Sequence, residues 1–501
     1  MPKTVFKHVE NHNSLEYPES LSKKVVRGGI WVFSIRALDR GLGFVRTVIL
    51  ARFLSPDDFG LMGIAILSIS SLETFSQTGF QTALIQKSDN IDSYLDTAWV
   101  VSAIRGLILF LILFGTAPYV AGFFGSSQAT WVIRTIAIST LLRGFKNIGI
   151  IFFQKNLEFY KQFVYELSGT LTDLVVAVSL ALILKSVWAL VWALLAANFC
   201  RLIVSYVVHP YRPKLNFKRK QFVELFGFGR WILGSSILTF LVVQGDDIFV
   251  GRFLGITALG LYQMAYLISN LPATEISHVI SRITFPAFSK LQEKPERLRE
   301  AYQKVLQVTV SISAPIAGGI FVLASDFISL FLGEKWMSML PAVKLLVIAG
   351  FIRSIAATAV PVFHGVGKPK FDTIGQSIRL FLLAVLIYPL TRYWHLVGAS
   401  TAVLGSILAA TVCFAYWIVN ITACGVKNYI RIVAVPLTNS VLMVLSLALV
   451  KTYFPSEGCF NFFVSVVFGI VIYVSVSCLT DKMIDYRFFE TIKEITKLTD
   501  R

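Results

Sequence analysis

GIWVFSIRALDRGLGFVRTVIL, residues Gly29–Leu50, is an apolar stretch interrupted by Arg36, Asp39, Arg40 and Arg46. Its length suits a helix crossing a bilayer, for which about 20 residues suffice. At about 100° per residue, Asp39, Arg40 and Arg46 fall about −60°, +40° and −80° from Arg36, so one face holds all four charges. Trp31, Leu38, Leu42 and Val45 are left to the other face. A charge in hydrocarbon is costly unless it faces protein or water. The pattern predicts a helix that lines a wet, cationic cavity inside a bundle.

The surrounding chain fits that setting. It is 55% hydrophobic and 15% charged, against roughly 25% charged in soluble domains. Uncharged runs long enough to span recur at Gly106–Ile133, Val305–Ser325, Ile432–Val450 and Gly458–Thr480. The first 24 residues are polar, without the apolar core and cleavage site of a leader, so none is expected to be removed. Cys200, Cys413, Cys424, Cys459 and Cys478 form no CxxC pair and read as ordinary small membrane residues.

Apolar blocks between polar breaks predict an all-α polytopic membrane protein with about fourteen transmembrane helices. The expected spans are 26–51, 59–85, 94–124, 128–151, 163–185, 188–208, 224–251, 259–285, 302–332, 337–364, 372–393, 396–421, 430–452 and 460–480. With the N-terminus inside, 27 Lys and Arg fall on the cytoplasmic side and 6 outside. That asymmetry predicts cytoplasmic termini at both ends. It also accounts for the net charge of +17 through anionic lipid headgroups, with no nucleic acid implied.

A shift of 200 residues aligns ARFLSPDDFGLMGIA (51–65) with GRFLGITALGLYQMA (251–265) without a gap. Identities include Trp31/Trp231, Arg52/Arg252, Leu54/Leu254 and Gly60/Gly260. Six helices separate the copies, so both halves cross in the same sense, as parallel repeats about an axis along the membrane normal. The expected organisation is a tail (1–25), a six-helix bundle (26–208), a basic cytoplasmic linker (209–223), a second six-helix bundle (224–421), two added helices (422–480) and a cytoplasmic tail (481–501).

The repeat is broken where charge is concerned. Arg36, Arg40 and Arg46 correspond to Ser236, Phe240 and Asp246, with Asp247 next along. Arg143, Arg201, Arg353 and Arg379 are further cationic candidates inside spans, and Glu275 shares a helix face with His278 and Arg282. Each has a plain alternative: an arginine near a helix end snorkels, and Asp246 and Asp247 could sit at a solvated end. Guanidinium clusters suit phosphate, which their forked donors bind with charge-assisted hydrogen bonds. There is no Walker A, HExxH, GxSxG or metal-ligand spacing and no partnered nucleophile. Those absences predict a transporter with no cofactor and no metal rather than an enzyme.

Helix 1 with its ARFLSPDDFG exit, the following SQTGFQTALIQK, FPAFSKLQEKPERLREAYQKV (285–305) and FLGEKW (331–336) resemble the Wzx-type polysaccharide flippases. The similarity is to the colanic-acid and teichuronic-acid branch of the multidrug/oligosaccharidyl-lipid/polysaccharide exporter superfamily. It covers nearly the whole chain and weakens after about residue 425. It implies two six-helix lobes in a V around a central cavity, alternating access, and an inner-membrane protein that moves undecaprenyl-pyrophosphate-linked oligosaccharide to the outer leaflet. It further implies coupling to an ion gradient, for which Asp246, Asp247 and Glu275 are the candidates, and work beside a polymerase and other polysaccharide assembly proteins. The cationic cavity carries over as Arg36, Arg40 and Arg46, with Asp39 beside them. A multidrug exporter of the related branch, whose cavity should be more aromatic and acidic, and a lipid-linked sugar polymerase or ligase are the other readings.

Overall fold

The computed structural model describes residues 19–77, 80, 84, 91–156, 158–270, 284–285, 287–453 and 458–484. Within them the chain is helical and forms α1 (Glu19–Phe53), α2 (Pro56–Phe75), α3 (Asp92–Phe123), α4 (Gln128–Gly144), a short α5 (Ile151–Lys155), α6 (Phe159–Leu184) and α7 (Trp188–Val208). There follow α8 (Arg219–Phe253), α9 (Ile256–Ser269), α10 (Pro295–Phe327), α11 (Leu340–Gly365), α12 (Lys370–Thr422), α13 (Val426–Tyr453) and α14 (Cys459–Ile484). Among the described residues nine helices are long and apolar enough to cross a membrane, or ten if the bent pair around Lys146 counts as one span.

Helix lies at each expected span. Most of the remainder of the second and eighth spans, beyond Phe75 and Ser269, is outside the described residues, as is Glu275. The eleventh and twelfth spans run on as α12, which breaks where expected, with Trp394 at φ −121° and His395 at φ 47°. The linker is shorter than expected, because α8 already begins at Arg219.

Sequence dictates how α2 starts. Ser55 caps it in a reciprocal box: the Asp58 amide donates to Ser55 Oγ at 3.3 Å, and the Ser55 amide donates to Asp58 Oδ2 at 2.9 Å. Pro56 fills the first turn, where its missing N–H is no loss. In the second half the same corner is turned by Gly255 at φ +87°, a conformation open to glycine.

The repeat reappears as a reciprocal contact. A Cβ on Gly60 would lie 2.0 Å from the Ile256 carbonyl oxygen, and one on Gly260 would lie 2.0 Å from that of Pro56. Thr257 donates to the Asp57 carboxylate, and Gly63 lies against Gln263. Each of these contacts joins positions 200 apart or their neighbours, as a two-fold relation between α2 and α9 requires. The helix 1 exits obey it too. The α1 exit accepts Trp336 Nε1 at Ala51 O (2.9 Å) and Lys335 Nζ at Arg52 O (3.0 Å). The α8 exit packs Gly251 on Phe124 and sets Arg252 over the Phe123 ring.

At this end one apolar core runs through both halves, from Leu50, Leu54 and Ile64 to Tyr262, Trp336 and Val403. At the other end the cores are separate. Phe80, Leu95 and Ile151 form one in the first half, and Phe288, Tyr302, Phe363 and Phe414 form one in the second. The halves therefore share one core at the Arg52/Arg252 end and have separate cores at the linker end, where Tyr94 and Thr97 of α3 still donate to Glu224 and Gln221 of α8.

The linker is tied to the first half. Tyr211 donates to Asp96 Oδ1 at 2.5 Å, the Lys214 amide donates to the same oxygen at 3.1 Å, and Asn147 Nδ2 donates to Tyr211 O at 2.8 Å. Burial and the bond to Asp96 hold the Tyr211 phenol well above its usual pKa. The last two helices dock on α10 through Lys451–Asp326 (2.7 Å) and Tyr473 donating to Ser311 O (2.8 Å). With α1 and α9 they surround an apolar cavity of about 430 Å³ that Phe44, Pro315, Gly319, Met443 and Phe462 help to line.

Candidate functional site

A polar cavity of about 820 Å³ lies within the first half. Its walls come from α2 (Glu73, Gln77), α3 (Arg105), α4 (Arg143), the turn after it (Lys146), α6 (Gln162, Glu166) and α7 (Asn198, Arg201). Four cations thus face two carboxylates inside a membrane protein, where such groups are rarely placed without use.

Each arginine in the wall has fixed acceptors. Arg143 Nη1 spans the Glu73 carboxylate at 2.9 and 3.0 Å, while its Nε donates to Asn198 Oδ1 at 3.0 Å. Arg105 closes the C-terminal end of α2, with Nε donating to Ser76 O at 2.9 Å and Nη2 to Glu73 O at 2.9 Å. A cation there also meets the negative end of the helix dipole. Arg201 lies 3.8 Å from Glu166 and donates to Thr170 Oγ1 at 3.4 Å. It passes so close over Gly169 that a Cβ would come within 2.2 Å of its Nε.

The expected charged face of α1 is divided. Arg40 and Asp39 are exposed, and the Arg36 side chain is outside the described residues. Arg46 is paired with Asp173 of α6 at 2.8 Å. Asp39 accepts from Thr170 Oγ1 at 2.5 Å, and through Thr170 the α1 face reaches Arg201 in the cavity wall. Among the described side chains, Asp39, Arg40 and Arg46 are not in the wall of the cavity itself.

The remaining candidates gather in the second half. Asp246 is 2% exposed, which removes the solvated-end reading, and accepts from Tyr262 Oη at 2.8 Å. Asp247 accepts from Gln263 Nε2 at 3.3 Å. Arg353 donates to Asn270 Oδ1 at 2.9 Å and to Tyr266 Oη at 2.5 Å. Arg379 is electrostatically coupled to Arg353, Tyr266 and Asp246. Asp246 Oδ1 and the Nε atoms of Arg353 and Arg379 are buried without a hydrogen-bond partner among the described residues. The sign is inverted about the repeat: Arg46 on α1 pairs with Asp173 on α6 at 2.8 Å, whereas the matching position on α8 is the buried carboxylate Asp246, which accepts from Tyr262.

Sequence reasoning missed the contribution of α6. Glu166, Thr170 and Asp173 follow i, i+4, i+7 spacing and share one helix face, so the signal was present. Gln162 extends the same face into the cavity.

A family profile described as "Polysaccharide biosynthesis protein" matches residues 49–341. The chain belongs to this family. Among its relatives, the lipopolysaccharide biosynthesis protein WzxC of Escherichia coli is 26% identical, over 78% of this chain and 79% of the relative. The succinoglycan biosynthesis transport protein ExoT of Rhizobium meliloti is 27% identical, over 70% of this chain and 71% of its own. Among solved structures, the lipid II flippase MurJ in an inward closed conformation superposes with a TM-score of 0.72 at 16% identity, covering 90% of this chain and 99% of that one. An inward-facing multidrug transporter of the MATE family follows at a TM-score of 0.59 and 15% identity, over 77% of this chain and 95% of its own. These superpositions show that the chain shares its fold with MurJ and with the MATE transporter.

Proposed function

We propose that this family member is a flippase that carries undecaprenyl-pyrophosphate-linked oligosaccharide from the inner to the outer leaflet of the cytoplasmic membrane, for polymerisation into a surface polysaccharide. The observation that carries the reading is a polar cavity of about 820 Å³ walled by Glu73, Arg105, Arg143, Glu166 and Arg201 inside a helical membrane protein of a polysaccharide biosynthesis family. The arginines of α1 contact the pyrophosphate, and the apolar cavity beside α14 gives the lipid chain a path.

The distribution of 27 cytoplasmic against 6 outer basic residues supports cytoplasmic termini. With that orientation the shared core closes the outer side and the linker end faces the cytoplasm. Two units, 26–208 and 224–421, then rock about α2 and α9. Asp246 and Asp247, with Glu275, are the proposed coupling carboxylates, and Arg353 and Arg379 are the internal countercharges that a coupling cation would displace.

The test uses cells in which this chain is the sole flippase for a lipid-linked repeat unit. Arg36→Ala with Arg40→Ala should abolish polymer export and accumulate the lipid-linked intermediate in the inner leaflet, with normal protein level in the membrane. Lys at both positions should restore export in part, since an ammonium lacks the guanidinium fork. Full export by the double Ala variant would refute the assignment.

A further inference from the structure

Near its end α3 carries Pro118, and a proline has no N–H to donate to the carbonyl four residues back. That carbonyl belongs to Phe114, and its partner comes from the next helix instead: Arg134 Nε of α4 donates to Phe114 O at 3.3 Å. The guanidinium lies 4.9 Å from the centre of the Phe114 ring and 5.1 Å from that of Trp131. One hydrogen bond and two aromatic faces thus hold it in place without a carboxylate. Its Nη1 and Nη2 atoms have no hydrogen-bond or ion-pair partner among the described residues.

This cation looks out of the bundle. Val132, Ile133, Ile136 and Ala137 of α4 are buried in the core, whereas Trp131 and Ile138 are exposed, and Arg134 shares their side of the helix. Phe114 stands nine residues before Phe123 and Arg134 six residues after Gln128, so at about 1.5 Å per residue the charge is held roughly 10 Å inside the helix ends. The polar layer on each side of a bilayer is roughly 5–8 Å deep, which places the guanidinium at its inner boundary, within reach of a lipid phosphate. Trp131, 60% exposed, is of the residue type that settles at this depth.

The second half repeats the device. The order of buried and exposed positions over 131–140 recurs unchanged over 341–350, which equates Arg134 with Lys344 and Arg143 with Arg353. Lys344 of α11 lies 5.4 Å from the centre of the Phe321 ring of α10, as Arg134 of α4 lies over Phe114 of α3. A duplication that put Asp246 opposite Arg46 kept a cation here in both halves. Only the first half has the forked donors that match phosphate oxygens.

We propose that Arg134, with Phe114 and Trp131, forms a site for the headgroup of an anionic phospholipid in the leaflet at the Arg52/Arg252 end. The phosphate accepts from Nη1 and Nη2, and the acyl chains lie along the exposed apolar side chains deeper in the same helices, Leu111 and Ile138. The site is separate from the polar cavity, whose wall does not include Arg134. A zwitterionic phospholipid binds it less well, because its own ammonium competes for the phosphate.

The test is photolabelling of the full-length chain in phosphatidylcholine nanodiscs doped with a photoreactive phosphatidylglycerol or with a photoreactive phosphatidylcholine, the adducts being mapped by mass spectrometry. Phosphatidylglycerol should label the stretches 111–119 and 128–138 about tenfold or more above phosphatidylcholine, as expected of charge-assisted hydrogen bonds. Arg134→Gln should erase that preference, Arg134→Lys should keep part of it, and Lys344→Gln should leave it unchanged. Excess unlabelled phosphatidylglycerol should displace the probe, and inorganic phosphate should not. Equal labelling of the parent chain by the two lipids would overturn the proposal whatever the variants do. So would an undiminished preference in Arg134→Gln, anionic label confined to the basic linker 209–223, or displacement by inorganic phosphate, which would mark a water-filled anion site instead.

Discussion

The two halves keep the same backbone contacts and reverse the same charges. Gly60 approaches Ile256 O as Gly260 approaches Pro56 O, so the interface has been retained down to its closest atoms. Arg46 with Asp173, by contrast, answers to the buried carboxylate Asp246 with Tyr262. The first half opens its polar groups to a cavity walled by Glu73, Arg143 and Arg201. The second buries its own, leaving Asp246 almost wholly enclosed beside Tyr262. Duplication supplied a frame that steric contact holds constant, while its interior was free to change sign.

The largest effect should come from the retained frame. Gly60→Val or Gly260→Val places side-chain atoms on a backbone carbonyl of the other half, where nothing flexible can yield. Each should destabilise by about 3 kcal/mol or more. Gly41→Ala, with open space around its Cβ, should be tolerated. Melting of the detergent-solubilised chain checks this, and equal loss at Gly60 and Gly260 would sharpen the symmetry. A tolerated valine at either would break it.

Next come the inverted charges. Arg46→Ala strands Asp173, and the loss should reach about 3 kcal/mol, the low end for a buried pair because both side chains retain some exposure. Arg46→Asp combined with Asp173→Arg gives the first half the polarity of the second and should recover most of that stability. Failure of the swap to recover it would mean that the sign at this position is set by the surroundings rather than by the pair.

The smallest effects separate the buried interior from the open one. Tyr262→Phe removes a donor from enclosed Asp246 and should cost about 1–3 kcal/mol. Thr170→Val removes the bridge between Asp39 and Arg201, but exposed Asp39 regains water, so stability should fall by about 1 kcal/mol or less. Chemical unfolding of both variants decides it. A larger loss at Thr170 than at Tyr262 would contradict the contrast.

Much of this was legible in the chain. Apolar runs and their charged breaks located the spans, down to the interruption at Trp394 and His395, because hydrocarbon enforces length and polarity on any helix that crosses it. The 200-residue offset identified the matching positions, and the Arg46/Asp246 inversion was visible as a sequence difference. The charged face of α1 was readable from helical spacing alone.

Local periodicity has no information on which helix faces which. It could not show that Arg46 would be paired with Asp173, that Arg143 would be held by Glu73 and Asn198, or that Lys146 would be left without a partner among the described residues. Nor could it show that α6 walls the polar cavity. The sequence by itself determined a duplicated helical membrane protein with charge concentrated in its first half. Only tertiary packing decided which charges neutralise one another and which face a cavity, because an ion pair is a distance of a few ångströms between residues more than a hundred positions apart.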